Sequence, residues 1–352
     1  MARQIKIKEI AKLAGVSAGT VDRVLHNRGK VSAKAQASVE KVLSEVNYKL
    51  DIHTSAISFR KEFHILVILP KATCGGYWKM QRRGISDALE EYSDINTSCI
   101  WMEYDQFDLK DCHRVYTEAL EVKGIDAFII GPTFIQETRL LCSALEKRGT
   151  PYFFVDAVPS ETNPWASFSS DQMAAGMVMA KMICRMFRSD NDEIAVLDAH
   201  REGVEVPLNP ALRFIGFRSV LEERGILLRL RSDTISPNDM KKTEERVASM
   251  LKRFPSVRII AVLNSMGYLV ADAVKKAGEN VPVVCFDVTE ENATRLEDGS
   301  IAALLGQRPH RQGFEALKAA INCLLYCQKE ANPQHIMPID IIVKDNLPYY
   351  QE

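Results

Sequence analysis

The feature that most constrains this chain is an alternation of short apolar runs with amphipathic stretches, beginning at Phe63 and continuing almost to the end. Runs of strand length recur at 64–70, 99–103, 127–131, 152–156, 193–198, 227–231, 258–264, 281–287 and 301–306. Between them, residues near 78–92, 136–148, 172–188, 209–224, 238–253, 266–277 and 310–327 carry apolar side chains at helical spacing. Strands that are apolar at every position are buried on both faces. Their alternation with helices is the pattern of parallel sheets covered on each side. A break at 157–167, containing VPSETNPW, suits a crossover between two such layers. The predicted class is therefore α/β, with doubly wound parallel sheets in two lobes. The first lobe is expected at about 63–160 and 291–325, the second at about 161–290 and 326–352.

The residues before Phe63 follow another rule. Across 5–46 they read as three short helices. Ile7, Ile10, Ala11 and Ala14 share one face, and Gly15 ends that run. Ser17 is an N-cap residue before a helix carrying Val21, Val24 and Leu25, which Asn27-Arg28-Gly29 breaks. Ser32 caps a third helix. Residues 1–49 thus form an all-α head and 50–62 a linker. The body is 63–352.

Charge separates the same parts. Net charge is −1 overall, but residues 1–62 hold twelve Lys/Arg against six Asp/Glu, and the remainder 33 against 40. A basic head on an acidic body directs the head to a polyanion. Two of the more continuous apolar runs, 65–69 and 259–263, are far shorter than the roughly 18–20 residues of a membrane span. The N-terminus MARQIKIKEIAKLAG has no apolar core of a secretory signal, so a cytoplasmic location is expected. The eight cysteines are scattered without a CxxC pair, and Cys323 and Cys327 lack a second ligand pair, so reduced thiols and no metal are expected. No GxGxxG, P-loop or HExxH string is present, which argues against an enzyme and against a bound cofactor. Ser169-Ser170-Asp171 reads as a turn and helix cap.

In a helix-turn-helix, one helix packs across a tight turn onto a second, whose exposed face enters the major groove N-terminus first. Ala11 and Ala14 permit the approach, Gly15 makes the turn, and Val21 and Val24 fill the seam. The groove-facing candidates are Ser17, Ala18, Gly19, Thr20, Asp22 and Arg23, with Asn27 and Ser32 beside them. Arg23 suits bidentate contact to guanine, and the Ser17 and Thr20 hydroxyls suit phosphates. This segment resembles the DNA-binding head of the lac repressor (LacI/GalR) family through Ile10-Ala11, Ala14-Gly15-Val16-Ser17, Thr20-Val21, Arg23-Val24-Leu25, Val31-Ser32 and Asn47-Tyr48. Ala18 and Gly19 stand where that family often has a larger polar pair, and Asp22 where it usually has a hydroxyl. The resemblance implies that the linker forms a hinge helix on DNA, with Ile57 as a minor-groove wedge. Leu50 stands where proline is common.

The body resembles the periplasmic-binding-protein-like sensor that completes that family. In doubly wound lobes, ligand residues sit just beyond the C-terminal ends of strands. The candidates are Asp156 after YFFV, Asn264 after IIAVL, Asp287 after VPVVCF and Gln307 after IAALLG. Arg213 stands on the helix that begins near Pro210, and Tyr77-Trp78 follows the first strand. In the resemblance, FVDA, ALRFIGF, VLNSMG, CFDVTE and GQRPHRQG match sugar-site motifs, with Ser265 in place of an acid and Arg308 interposed before proline. Tyr77-Trp78 matches an aromatic wall against a sugar ring. The expectation is a ligand-responsive transcription regulator acting as a repressor on a double-stranded operator, as a homodimer, with a sugar or related effector. The alternatives are a solute-binding receptor feeding a transporter, or an α/β enzyme.

Overall fold

The computed structural model describes residues 7–25, 31–45, 62–72, 76–199, 207–236, 239–327, 329 and 332–350. In the head, α1 (Ile7–Ala14), α2 (Ala18–Leu25) and α3 (Ala33–Glu45) enclose buried Ile10, Ala11, Val21, Val39 and Val42. Gly15 adopts φ +66°, a left-handed turn that a side chain would strain. The Val16 N–H then closes onto the Ala11 carbonyl at 3.0 Å. Ser17 Oγ accepts the Thr20 N–H at 3.1 Å and satisfies an open donor of α2.

In the body, the first lobe is built from β1 (Phe63–Pro70), α4 (Tyr77–Glu91), β2 (Thr97–Tyr104), α5 (Leu109–Glu121), β3 (Ala127–Ile130), α6 (Ile135–Arg148), β4 (Tyr152–Asp156) and β5 (Ala166–Ser170). The chain continues into α7 (Gln172–Cys184), β6 (Glu193–Ala199), α8 (Leu208–Glu223), β7 (Leu230–Ile235), α9 (Met240–Arg253), β8 (Val257–Val262), α10 (Gly267–Lys276), β9 (Val283–Phe286), α11 (Glu290–Glu297) and β10 (Ile301–Gly306). It returns through α12 (Pro309–Tyr326) and ends in β11 (Gln334–Met337) and β12 (Asp340–Ile342). The first sheet has order β11-β5-β4-β3-β1-β2 and the second β12-β10-β9-β8-β6-β7. All described pairings are parallel except β10 with β12.

The unbroken apolar runs are explained by two-sided burial. Ile65, Val67 and Leu69 enter one core while Leu66 and Ile68 enter another on the opposite face of the sheet. In the second sheet, Ala195 and Leu197 separate from Ile194 and Val196 in the same way.

The sheets correct the lobe boundaries expected from sequence. The Pro- and Ser-rich break is a loop inside the first lobe, and the strand after it, β5, pairs with β4. The chain first changes lobes between Ser170 and Gln172. β10 belongs to the second sheet, so the return lies between Gly306 and Pro309, and the third passage joins β11 to β12. The polar strand ASFSS escaped detection because its burial rests on paired small residues, not on hydropathy. Helices α5 and α11 were also unforeseen. They are charged, and both begin at side-chain caps, Asp108 and Thr289.

Two helix crossings are closer than side chains allow. A Cβ built on Gly84 of α4 would lie 1.8 Å from the His310 carbonyl oxygen of α12, and one on Gly176 of α7 would lie 1.9 Å from that of Arg213 on α8. Gly176→Ala must therefore separate α7 from α8. Overpacking against backbone costs about 1–3 kcal/mol or more. The expected outcome is a melting temperature lowered by several degrees in thermal denaturation. An unchanged value would mean that the helices separate freely.

Candidate ligand cleft and DNA-reading head

The cleft lies where the C-terminal ends of both sheets face each other. β4 delivers Asp156 and the residue after β9 is Asp287. Asn264 and Gln307 follow β8 and β10, α4 opens with Tyr77 and Trp78, and α8 carries Arg213. All seven residues nominated from sequence line this single cleft. Asp156 and Asp287 adopt φ +70° and +66°. Aspartate tolerates this left-handed backbone better than most residues, and the turn aims each carboxylate away from its strand.

The polar groups form one connected system. Arg213 donates through Nε to Gln172 Oε1 (2.7 Å), through Nη1 to the Leu263 carbonyl (2.7 Å) and through Nη2 to Gln307 Oε1 (2.8 Å). Its guanidinium lies 3.9 Å from the centroid of the Phe286 ring. Gln307 Nε2 donates to Asp287 Oδ1 at 2.8 Å, and the Gln307 carbonyl accepts from Gln312 Nε2 at 2.9 Å. Gln312 Oε1 in turn accepts from Gln81 Nε2 and from the Asp156 N–H, both at 3.0 Å. Tyr77 donates to Asp156 Oδ1 at 2.5 Å. Asn209 Nδ2 reaches across the lobes to the Asp156 carbonyl at 3.3 Å.

Burial sets the electrostatics. It pushes the Asp156 carboxyl above the usual carboxylate range, against the opposing pull of the Tyr77 hydrogen bond and of Arg213. It lowers the Arg213 pKa, while Asp287 and Asp156 act to restore it. Tyr77 is raised well above the ordinary phenol by burial and then by the two carboxylates.

Sequence reasoning missed Gln81, Gln172, Gln312 and Asn209, all buried. The available signal was an amide on the buried face of a helix: Gln81 stands between Trp78 and Ile85, and Gln312 between Pro309 and Ala316. The cleft also takes Phe107 and Met266. Ser265, the departure after Asn264, lines it as well. Arg308 instead pairs with Asp340 through Nε (2.7 Å) and Nη2 (3.2 Å), tying the second passage between lobes to the third. Asp171 caps α7 by accepting from the Ala174 N–H at 2.9 Å.

In the head, Ser17, Ala18, Gly19 and Arg23 are exposed along α2, with Thr20 and Asp22 half-buried beside them. Ser17 Oγ and Thr20 Oγ1 lie 2.9 Å apart, and Ser32 Oγ accepts from the Ala35 N–H at 3.3 Å. Asn27 and Ile57 lie outside the described residues. The string Gly15-Val16-Ser17-Ala18-Gly19 fits the GxSxG pattern of a hydrolase nucleophile turn, but here it joins two helices and not a strand to a helix.

Comparison with known proteins agrees with both halves. Residues 65–325 match the model of the periplasmic binding protein domain, and residues 6–51 that of bacterial regulatory proteins of the lacI family. The transcriptional regulator DegA of Bacillus subtilis is 23% identical over 290 residues, covering 80% of this chain and 81% of its own. The ribose operon repressor of Halalkalibacterium halodurans is 23% identical over 288 residues, covering 80% of each chain. The crystal structure of a LacI-type transcriptional regulator from Bacteroides fragilis superposes with a TM-score of 0.78 at 26% identity, covering 83% of this chain and all of that one. The protein belongs to the periplasmic binding protein domain family through its two-lobed body and to the lacI family of bacterial regulatory proteins through its head.

Proposed function

We propose that this regulator represses transcription by binding a pseudo-palindromic operator as a homodimer, and that a sugar or close derivative in the cleft changes that binding. The observation that carries the effector reading is the junction at Gln307. This one residue bonds to groups of the second lobe through its side chain, and through its carbonyl to Gln312, on the return helix packed into the first lobe. A ligand held between Asp156 and Asp287 therefore acts on both lobes at once, and it shifts their equilibrium only by its difference in affinity for the two arrangements. Carboxylates and amides at the ends of strands suit the paired hydroxyls of a sugar, and Tyr77-Trp78 offers an aromatic wall. Two-fold pairing of heads fits half-sites about one helical turn apart.

Full-length protein titrated with a pseudo-palindromic duplex should bind with a steep salt dependence, and Arg23→Ala should lose about 1–3 kcal/mol of preference for it. Equal binding to random DNA at moderate salt would reject the reading. In the cleft, a sugar present at 100 times its Kd stabilises by about 2.7 kcal/mol, which thermal shift detects. Asp287→Asn keeps a residue tolerant of φ +66° and should weaken effector binding at least about tenfold. Arg213→Ala should abolish the shift and also destabilise the body, because it strands Gln172 Oε1 and the Leu263 carbonyl.

Asp156 gives a pH signature. Its folded pKa is raised, so the folded state holds the proton longer than the unfolded chain. The corresponding stability is fully present in acid. It is lost as pH climbs from the ordinary carboxylate range through the folded-state value. Asp156→Asn should raise the melting temperature of the ligand-free protein at neutral pH and flatten that decline. A lower melting temperature with the slope intact would contradict the assignment.

A further inference from the structure

Gln106 lines the cleft beside Trp78, in the loop that follows β2. The Asp108 N–H closes onto the Asp105 carbonyl at 3.0 Å, and Asp105 Oδ1 accepts the Phe107 N–H at 2.8 Å, so Gln106 sits inside a bonded turn. Trp78 is held as firmly. A Cβ built on Gly131 would lie 2.7 Å from its ring, so the indole rests directly on the backbone that follows β3. Tyr77 meets the same ring edge-on, with centroids 5.1 Å apart. These fixed neighbours decide which end of the Gln106 amide is free. An indole N–H only donates. It lies 3.1 Å from Gln106 Oε1, so the carbonyl end belongs to Trp78 and the amino end is left over. Among the described residues, Gln106 Nε2 has no partner. Similar reasoning applies to Thr133, on the other side of β1 in the sheet. Tyr104 has one proton and donates it to the Gly131 carbonyl at 2.7 Å. The Thr133 hydroxyl, 3.0 Å from the Tyr104 oxygen, is therefore the donor of that contact, and what remains to it is a lone pair. Thr133 also lines the cleft.

We propose that Gln106 and Thr133 are effector-contacting residues of opposite sense, Gln106 offering only a donor and Thr133 only an acceptor, and that together they select hydroxylated carbons at two places on the ligand. This rests on the sugar reading above and deepens it. A hydroxyl answers either residue, because it both accepts and donates. A deoxy carbon answers neither. It leaves a half-buried amide or hydroxyl facing an apolar group, and a site built to bond a hydroxyl discriminates against the analogue that lacks it. The sense of Gln106 matters as much as its presence. A carboxylate in its place still accepts from the Trp78 indole, but it turns an acceptor to the ligand where a donor stood.

The test is isothermal titration of the full-length protein with ribose, glucose, galactose and mannose, and with their monodeoxy analogues. For the sugar that binds, Gln106→Glu, Gln106→Ala and the isosteric Thr133→Val should each raise Kd about tenfold, the loss of one hydrogen bond. One monodeoxy analogue should bind the wild-type protein about tenfold more weakly than its parent, yet lose nothing further in Gln106→Glu. That analogue marks the hydroxyl which the amide meets. If Gln106 serves only to hold Trp78, Gln106→Glu binds like wild type and Gln106→Ala alone is weakened. That result overturns the Gln106 contact, and so does a loss in Gln106→Glu that falls equally on every analogue. Wild-type affinity in Thr133→Val overturns the contact at Thr133. Each of these outcomes leaves a sugar site standing. No heat from any sugar in the wild-type protein overturns the sugar reading itself, and both contacts with it.

Discussion

A buried arginine organises the body. A guanidinium does not lose its proton in a protein, so its burial is tolerated only if its donors are met. Arg213 places three of its five N–H groups on three separate stretches of chain: Gln172 at the start of α7, the Leu263 carbonyl just after β8, and Gln307 just after β10. Gln172 comes within reach because Gly176, one turn later on α7, lets that helix lie on the Arg213 backbone. The same logic recurs in the first lobe. Gly84 of α4 and Gly313 of α12 sit at the other crossing, and Gln81 bonds Gln312 beside it. Close backbone approach beside buried amides is thus one device used twice, once per lobe, with Gln81 Oε1 left without a hydrogen bond in the first.

The two devices meet at Gln307 and Gln312, and this makes the cleft a junction, not a mere hollow. From Arg213 a continuous run of hydrogen bonds passes through Gln307 and Gln312 to Asp156 and Tyr77. Other links between the lobes are slighter. Lys79 and Glu290 approach at 3.5 Å but are both exposed, and such pairs contribute little. Asn209 makes a longer bond to the Asp156 carbonyl. The passage of chain at Gln307-Arg308 is also held, because Arg308 grips Asp340 at the neighbouring passage. A ligand that competes for Gln307 acts on a residue that belongs to the hinge as much as to the pocket.

Much of this is legible in the amino-acid sequence. Periodicity located the buried strands, and the polar residue after each apolar run was a sound guide to the cleft: Asp156, Asn264, Asp287 and Gln307 all stand there. The lobe boundaries were not legible. β5 is the strand ASFSS, and its membership of the first sheet depends on pairing with β4 and β11, which leaves no mark in local hydropathy. Sheet order is a long-range property, so a proline-rich loop was mistaken for a crossover. The buried glutamines were hidden for a related reason. Amides on helices are ordinarily solvent-facing, and the buried neighbours about one turn away on each side, with the glycine crossings, mark these as facing inward.

Arg308 shows how a departure from a family pattern acquires a meaning from geometry. Read as sequence, it interrupts the turn between Gln307 and Pro309 and throws doubt on the site. In the fold it takes φ +56°, which turns its side chain toward Asp340 and leaves Gln307 in the cleft. The inserted charge is paired with Asp340, outside the pocket. Among the described residues, Arg213 is the cation that acts on both Asp156 and Asp287.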